Sequence, residues 1–152
     1  MEDELIAEDQ HVVRHCESKW CFDDATISSA NFELRKKNGA LVEEYLSVGW
    51  LERYAEGNRA NQVAAYRTAI HPKIRTIKRK DRLAVLNVGQ TVERVRSRTT
   101  DRRILHFRHH PSNVAGKEDV GHSGIHETTP DEVRIRELLV NSVIEDYPGQ
   151  PD

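Results

Sequence analysis

The sequence predicts an α+β domain: a four- to five-stranded mixed sheet covered by two or three helices, one of them C-terminal. Three observations carry that expectation. Alternating strand-like segments fill the first third, a short apolar run spans residues 83–88, and a capped apolar stripe begins near Thr129. Strands and helices are interspersed rather than strictly alternating, which favours α+β over a doubly wound sheet and leaves strand order open. Residues 10–147 are expected to form a single domain, with a flexible acidic segment over 1–9 and a short tail over 148–152.

Residues 10–16 alternate, placing Val12, Arg14 and Cys16 on one side of a strand and His11, Val13 and His15 on the other. Over 30–35 the same period puts Phe32 and Leu34 together. Asn38-Gly39 then supplies the strongest short-range turn signal in the chain, so a hairpin with the next segment is expected. Leu46, Val48 and Trp50 recur at period two over 45–51; the stretch 41–54 also accommodates a helix, and the strand is preferred. Asn58 caps a helix over 59–69, in which Val63, Tyr66 and Ile70 share a face until His71-Pro72 ends it.

The run 83–88 reads as a buried strand between Arg82 and Gly89. Residues 91–97 would line up Arg94, Arg96 and Arg98 as a strand, or bury Val92 and Val95 as a helix capped by Thr91. Gly89 and Thr91 resemble a strand-to-helix junction, which favours the helix. Residues 103–109 return to strand character, with Leu105 and Phe107 on one face and Ile104, His106 and Arg108 on the other. The stretch 111–127, with three glycines and little periodicity, reads as a long loop of the kind that often carries function. Thr129 then acts as a cap, with Pro130 at the first helical position and Glu132 completing a capping box. Ile135, Leu138, Leu139 and Val143 form the apolar stripe that Pro148-Gly149 stops.

Charge is sorted along the chain. Residues 1–66 hold 7 Lys/Arg against 13 Asp/Glu, residues 67–110 hold 13 against 3, and residues 111–152 hold 3 against 9. A formal net charge of −2 thus hides a basic centre between two acidic ends, which meets an anionic partner or folds against the chain's own carboxylates. Two cysteines, Cys16 and Cys21, do not make a secreted disulfide framework. The first nine residues carry five acids and no base, unlike a signal peptide, and no apolar run reaches the roughly 20 residues of a membrane span. A soluble, cytoplasmic protein with no membrane partner is expected.

Within the basic centre, Lys78, Arg79, Lys80 and Arg82 form a run that any polyanion would meet, and Arg102, Arg103 and Arg108 add guanidiniums suited to phosphate oxygens. No RNA-binding, zinc-finger or helix-turn-helix pattern accompanies them, so contacts to a nucleic-acid backbone rather than to bases are expected. Five of the eight histidines lie within 21 residues. His106, His110, His122 and His126 are candidate metal ligands, zinc being the ion for such imidazoles, although no cofactor is required by any motif. On a strand His106 and His110 stand roughly 13 Å apart, so only one of them can join the two loop histidines. His110-Pro111-Ser112 and His126-Glu127-Thr128 share the His-x-Ser/Thr form of enzymes that cleave phosphoesters with paired histidines. Membership there requires each motif on a core strand and far apart in sequence, so no family is assigned.

The leading expectation is a binding or accessory protein holding an anionic partner, nucleic acid or an acidic protein, through those seven cations. The alternatives are a histidine-dependent, metal-assisted enzyme acting on a phosphate-containing substrate, and a subunit completed by a further copy or another chain. Walker, dinucleotide-binding, nucleophile-elbow and His-Glu-x-x-His signatures are all missing, and binding is favoured over catalysis.

Overall fold

The computed structural model describes residues 4–38, 40, 41 and 43–151, and of Lys37 the backbone alone. The first three residues of the acidic start, Gly39 of the expected turn and the last residue of the tail therefore lie outside the described residues. In chain order the strands are β1 (His11–Cys16), β2 (Lys36–Lys37), β3 (Ala40–Leu41), β4 (Leu46–Trp50), β5 (Arg82–Asn87), β6 (His106–His109), β7 (Ser112–Val114), β8 (Lys117–Asp119), β9 (His122–His126) and β10 (Val143–Pro148). The helices are α1 (Leu51–Tyr54), α2 (Arg59–Ile70), α3 (Val88–Arg98) and α4 (Glu132–Val140).

Six strands form one sheet in the order β10-β5-β1-β4-β9-β6, every neighbouring pair antiparallel. The period-two pattern of the first strand explains its central place. Val12 and Cys16 point into one apolar layer and Val13 into another, so β1 is buried on both sides and takes a partner on each edge. The strand β5 splits its residues likewise, Ala84 and Leu86 to one layer and Leu83 and Val85 to the other.

Helices fill both layers. On one face Val63, Tyr66 and Ile70 of α2 pack on Val13, Leu83 and Val85. On the other, Val88 and Val95 of α3 and Ile135, Leu138 and Leu139 of α4 pack with Val12, Leu86, Phe107 and Ile125. The links α1–α2 from β4 to β5, α3 from β5 to β6 and α4 from β9 to β10 each carry the chain across strands of this sheet. Asn58 caps α2 as the sequence predicts, its Oδ1 accepting from Asn61 N at 2.8 Å, whereas α3 starts earlier than expected, at Val88, under Asn87, whose Oδ1 accepts from Gln90 N at 2.8 Å, and Thr91 lies inside the helix rather than capping it. Among the described residues no helix is long and apolar enough to cross a membrane.

The α+β class holds, but its details change. Four to five mixed strands become six antiparallel ones, and two or three helices become four. The additional strands come from two places. Residues 111–127 are not one long loop; they contain the β7–β8 hairpin and β9, anchored where the Tyr54 hydroxyl donates to the buried Asp119 carboxylate. The last helix starts after Asp131 rather than at Pro130 and ends at Val140, so Val143 belongs to β10. Residues 30–35 form a short 3₁₀ turn over Ser29–Phe32 that still buries Phe32 and Leu34. Asn38, at a φ of 54°, turns the small β2–β3 hairpin rather than a longer one. Within the acidic start Ile6 is buried, and its N–H donates to Phe107 O at 2.8 Å.

Gly121 lies beneath Tyr54, and a Cβ there would come within 2.4 Å of the ring. Gly121→Ala is expected to lower stability by about 2 kcal/mol, the scale of overpacking a filled site, read as a lower urea midpoint with an unchanged m-value. A variant as stable as the parent would show that the Tyr54 anchor is loose.

Candidate functional site

The site begins at the C-terminal end of β1. Asp81, immediately before β5, is buried, and its carboxylate accepts from His15 Nε2 at 2.7 Å, Ser18 N at 2.8 Å and Lys78 N at 2.9 Å. Burial works against the charge of Asp81, and the hydrogen bonds from His15 and the two backbone amides outweigh it and hold its pKa below the ordinary value. Arg75 Nε donates to His15 Nδ1 at 3.1 Å, and Arg75 Nη2 donates to the Tyr66 hydroxyl at 2.7 Å. A guanidinium offers no acceptor, so His15 Nδ1 carries the lone pair and its proton sits on Nε2. His15 is held neutral in one tautomer. Burial lowers its pKa, the bond to Asp81 opposes that shift, and the Arg75 charge adds to it.

Arg14, on the neighbouring face of β1, is held differently. Its Nε donates to Asn31 O at 2.9 Å and its Nη1 to Ser47 O at 2.7 Å. Burial lowers its pKa. Arg14, His15 and Arg75 line a cavity of about 400 Å³. The carboxylates along its wall are engaged with other cations: Glu17 with Lys19 at 3.1 Å, Glu43 with Arg35 at 3.3 Å, and Glu33 with Arg136 at 2.8 Å. Among the described residues neither Arg14 nor Arg75 has a carboxylate at ion-pair distance. Trp20, 49% exposed, stands on the same cavity wall.

The seven surface cations expected to act together are divided. Lys78, Arg79 and Lys80 are exposed in the turn before β5, with Arg82 at the start of that strand. Arg102 and Arg103 precede β6 and Arg108 lies on it. Three strands separate β5 from β6, four spacings or about 19 Å. Arg82 is paired with Asp146, and Arg103 pairs with Asp101 at 2.8 Å while donating to Glu127 O. Arg102 is exposed, and Arg108 pairs in register with Gly124.

Of the four candidate metal-binding histidines, the fold brings three together at the β6–β9 pair. The Nε2 atoms of His110 and His126 are 2.7 Å apart, and His122 Nδ1 donates to His110 O at 2.9 Å. Tyr45 stacks on His110 at 4.6 Å and lies 5.0 Å from His126, its ring resting on Gly124. His106 stands opposite His126 in register, and its Nδ1 donates to Glu127 at 2.7 Å. Ser47, on the cavity wall, pairs in register with Gly124, so the histidine group and the cavity occupy neighbouring strands. Cys16 is no nucleophile: it is fully buried, and burial pushes its thiol up to about 12.

Sequence reasoning overlooked Arg75, Asp81, Tyr45 and Trp20. For Arg14 a signal was present: a charge on the inward face of an apolar strand needs a reason. Comparison with protein-family models, with curated proteins and with solved structures finds no match to this chain.

The neutral imidazole of His15 gives a pH test. Its pKa is lower folded than unfolded, so its contribution is fully present above the unfolded value of about 6.5 and is lost as pH falls through the folded one. Urea unfolding at pH 7 and pH 5 should show the parent losing stability on acidification and His15→Gln losing less. Equal losses would contradict the assigned neutral state.

Proposed function

We propose that the protein is a binding protein for a small phosphate-bearing ligand, held in the cavity beside β1 by Arg14 and Arg75. The observation that carries this reading is the pair of guanidiniums lining one cavity with no carboxylate partner among the described residues. A buried cation is costly unless an anion accompanies it, and every acid on this wall already serves another cation. Glu43 acts on Arg14 only from beyond ion-pair contact, so a close counter-charge is left for the ligand to supply. Guanidinium forks match phosphate oxygens through paired hydrogen bonds, and each arginine is aimed by its acceptors before the ligand arrives. Trp20 adds a flat apolar wall for the organic part of the ligand. The anionic partner is thus read as a small molecule or a terminal phosphate rather than a duplex, because the divided surface cations offer no continuous track.

Titration with pyrophosphate or a nucleoside monophosphate, followed by tryptophan fluorescence and calorimetry, tests this. Arg14→Gln and Arg75→Gln should each weaken binding by about 10- to 100-fold, the worth of charge-assisted hydrogen bonds. Lys80→Ala and Arg102→Ala should leave it within about twofold, as expected of solvated charges. Equal losses at Lys80 and Arg14, or no binding by the parent at low salt, would sink the reading.

A second reading, a histidine-dependent enzyme on a phosphate ester, is favoured by the 2.7 Å approach of His110 and His126 one strand from the cavity. There one imidazole would accept a proton from the attacking group and the other deliver one to the leaving oxygen.

A further inference from the structure

We propose that His110 and His126 form a binding site for one divalent transition-metal ion of the zinc class, distinct from the arginine-lined cavity. His126 is the last residue of β9, and His110 stands one residue beyond the end of β6, its antiparallel neighbour. The main chain of His110 is clamped on both sides by His122: its N–H donates to His122 O at 2.8 Å, and its carbonyl accepts from His122 Nδ1 at 2.9 Å. That backbone grip aims the imidazole inward, where its Nε2 meets that of His126 at 2.7 Å.

The two nitrogens share a hydrogen bond, and a metal ion bound by both would take the place of its proton. Zinc takes such nitrogens at about 2.0–2.1 Å, which in tetrahedral geometry sets them about 3.3 Å apart, so each ring needs to withdraw by only a few tenths of an ångström. Stacking limits larger movement. The Tyr45 ring lies against His110 with an interplanar angle of 25° and against His126 at 32°, so both imidazoles are held before any ion arrives. Gly124 makes this possible, because a Cβ there would come within 2.4 Å of the Tyr45 ring.

The site is open. Among the described residues no group of three histidine, cysteine or carboxylate side chains converges for a metal. The two imidazoles supply two of the ligands that a tetrahedral ion takes. Transition metals of the zinc class suit imidazole, whereas magnesium and calcium require oxygen donors.

Metal-free protein titrated with Zn²⁺ by calorimetry should take up one equivalent. Both His110→Gln and His126→Gln should weaken uptake by at least about 10-fold, as loss of a ligand exceeds the usual effect of losing a supporting hydrogen bond. His106→Gln and His109→Gln should bind as the parent does. Co²⁺ added to the parent should broaden the ring-proton resonances of His110 and His126 ahead of His11 and His71, a readout that needs no variant to fold. Absence of stoichiometric Zn²⁺ uptake, uptake unchanged in both ligand variants, or Co²⁺ broadening spread evenly over all histidines overturns the site. None of these outcomes touches the arginine cavity, whose ligand and variants are separate.

Discussion

The carboxylate of Asp81 is the constraint on which the candidate site depends. It closes the turn after Lys78, fixes Ser18 after β1 and takes the proton-bearing nitrogen of His15. Once those three donors are accepted, His15 has only its Nδ1 lone pair to offer, and Arg75 takes it. Asp81 also receives Gly149 N on its carbonyl at 2.7 Å, tying the end of β10 to the same corner. One buried acid thereby sets the tautomer of a histidine, and through it the direction of a guanidinium 60 residues away from that histidine in sequence.

The consequence is an electrostatic imbalance in one place. Surface cations across the molecule find partners: Arg82 with Asp146, Arg96 with Glu93, Arg59 with Glu52 and Glu145. Such exposed pairs contribute little to stability. At the cavity, carboxylates on the wall are turned to Lys19, Arg35 and Arg136, and the two arginines of the floor keep their charge for something else. Half-buried cations without a carboxylate in contact add nothing to stability, which is the physical reason for reading the cavity as a place for an anion.

Much of the fold was legible because it rests on local pattern. Asn58 and the spacing of Val63, Tyr66 and Ile70 define α2, and alternation defines β1, β4 and the inward faces of β6. Where local pattern is ambiguous, the reading failed. Val143 continues the helical stripe of Ile135, Leu138 and Leu139, yet the chain leaves the helix at Asn141 and uses Val143 opposite Leu86 in β10. The β7–β8 hairpin has three-residue strands, too short to show a period, and is held by a tertiary contact from Tyr54 to Asp119. The site was legible only in part. His110, His122 and His126 were candidates by residue type, but their meeting depends on β9, which lies in the stretch read as a loop, and the meeting of His15, Arg75 and Asp81 likewise depends on which strands lie side by side.

Arginine-detected NMR addresses the central claim most directly. With pyrophosphate added at constant ionic strength, the guanidinium Nε–Hε resonances of Arg14 and Arg75 should shift together and saturate, while those of the paired Arg82, Arg96 and Arg103 stay in place. Shifts spread over the surface arginines, with Arg14 and Arg75 unmoved, would contradict the account.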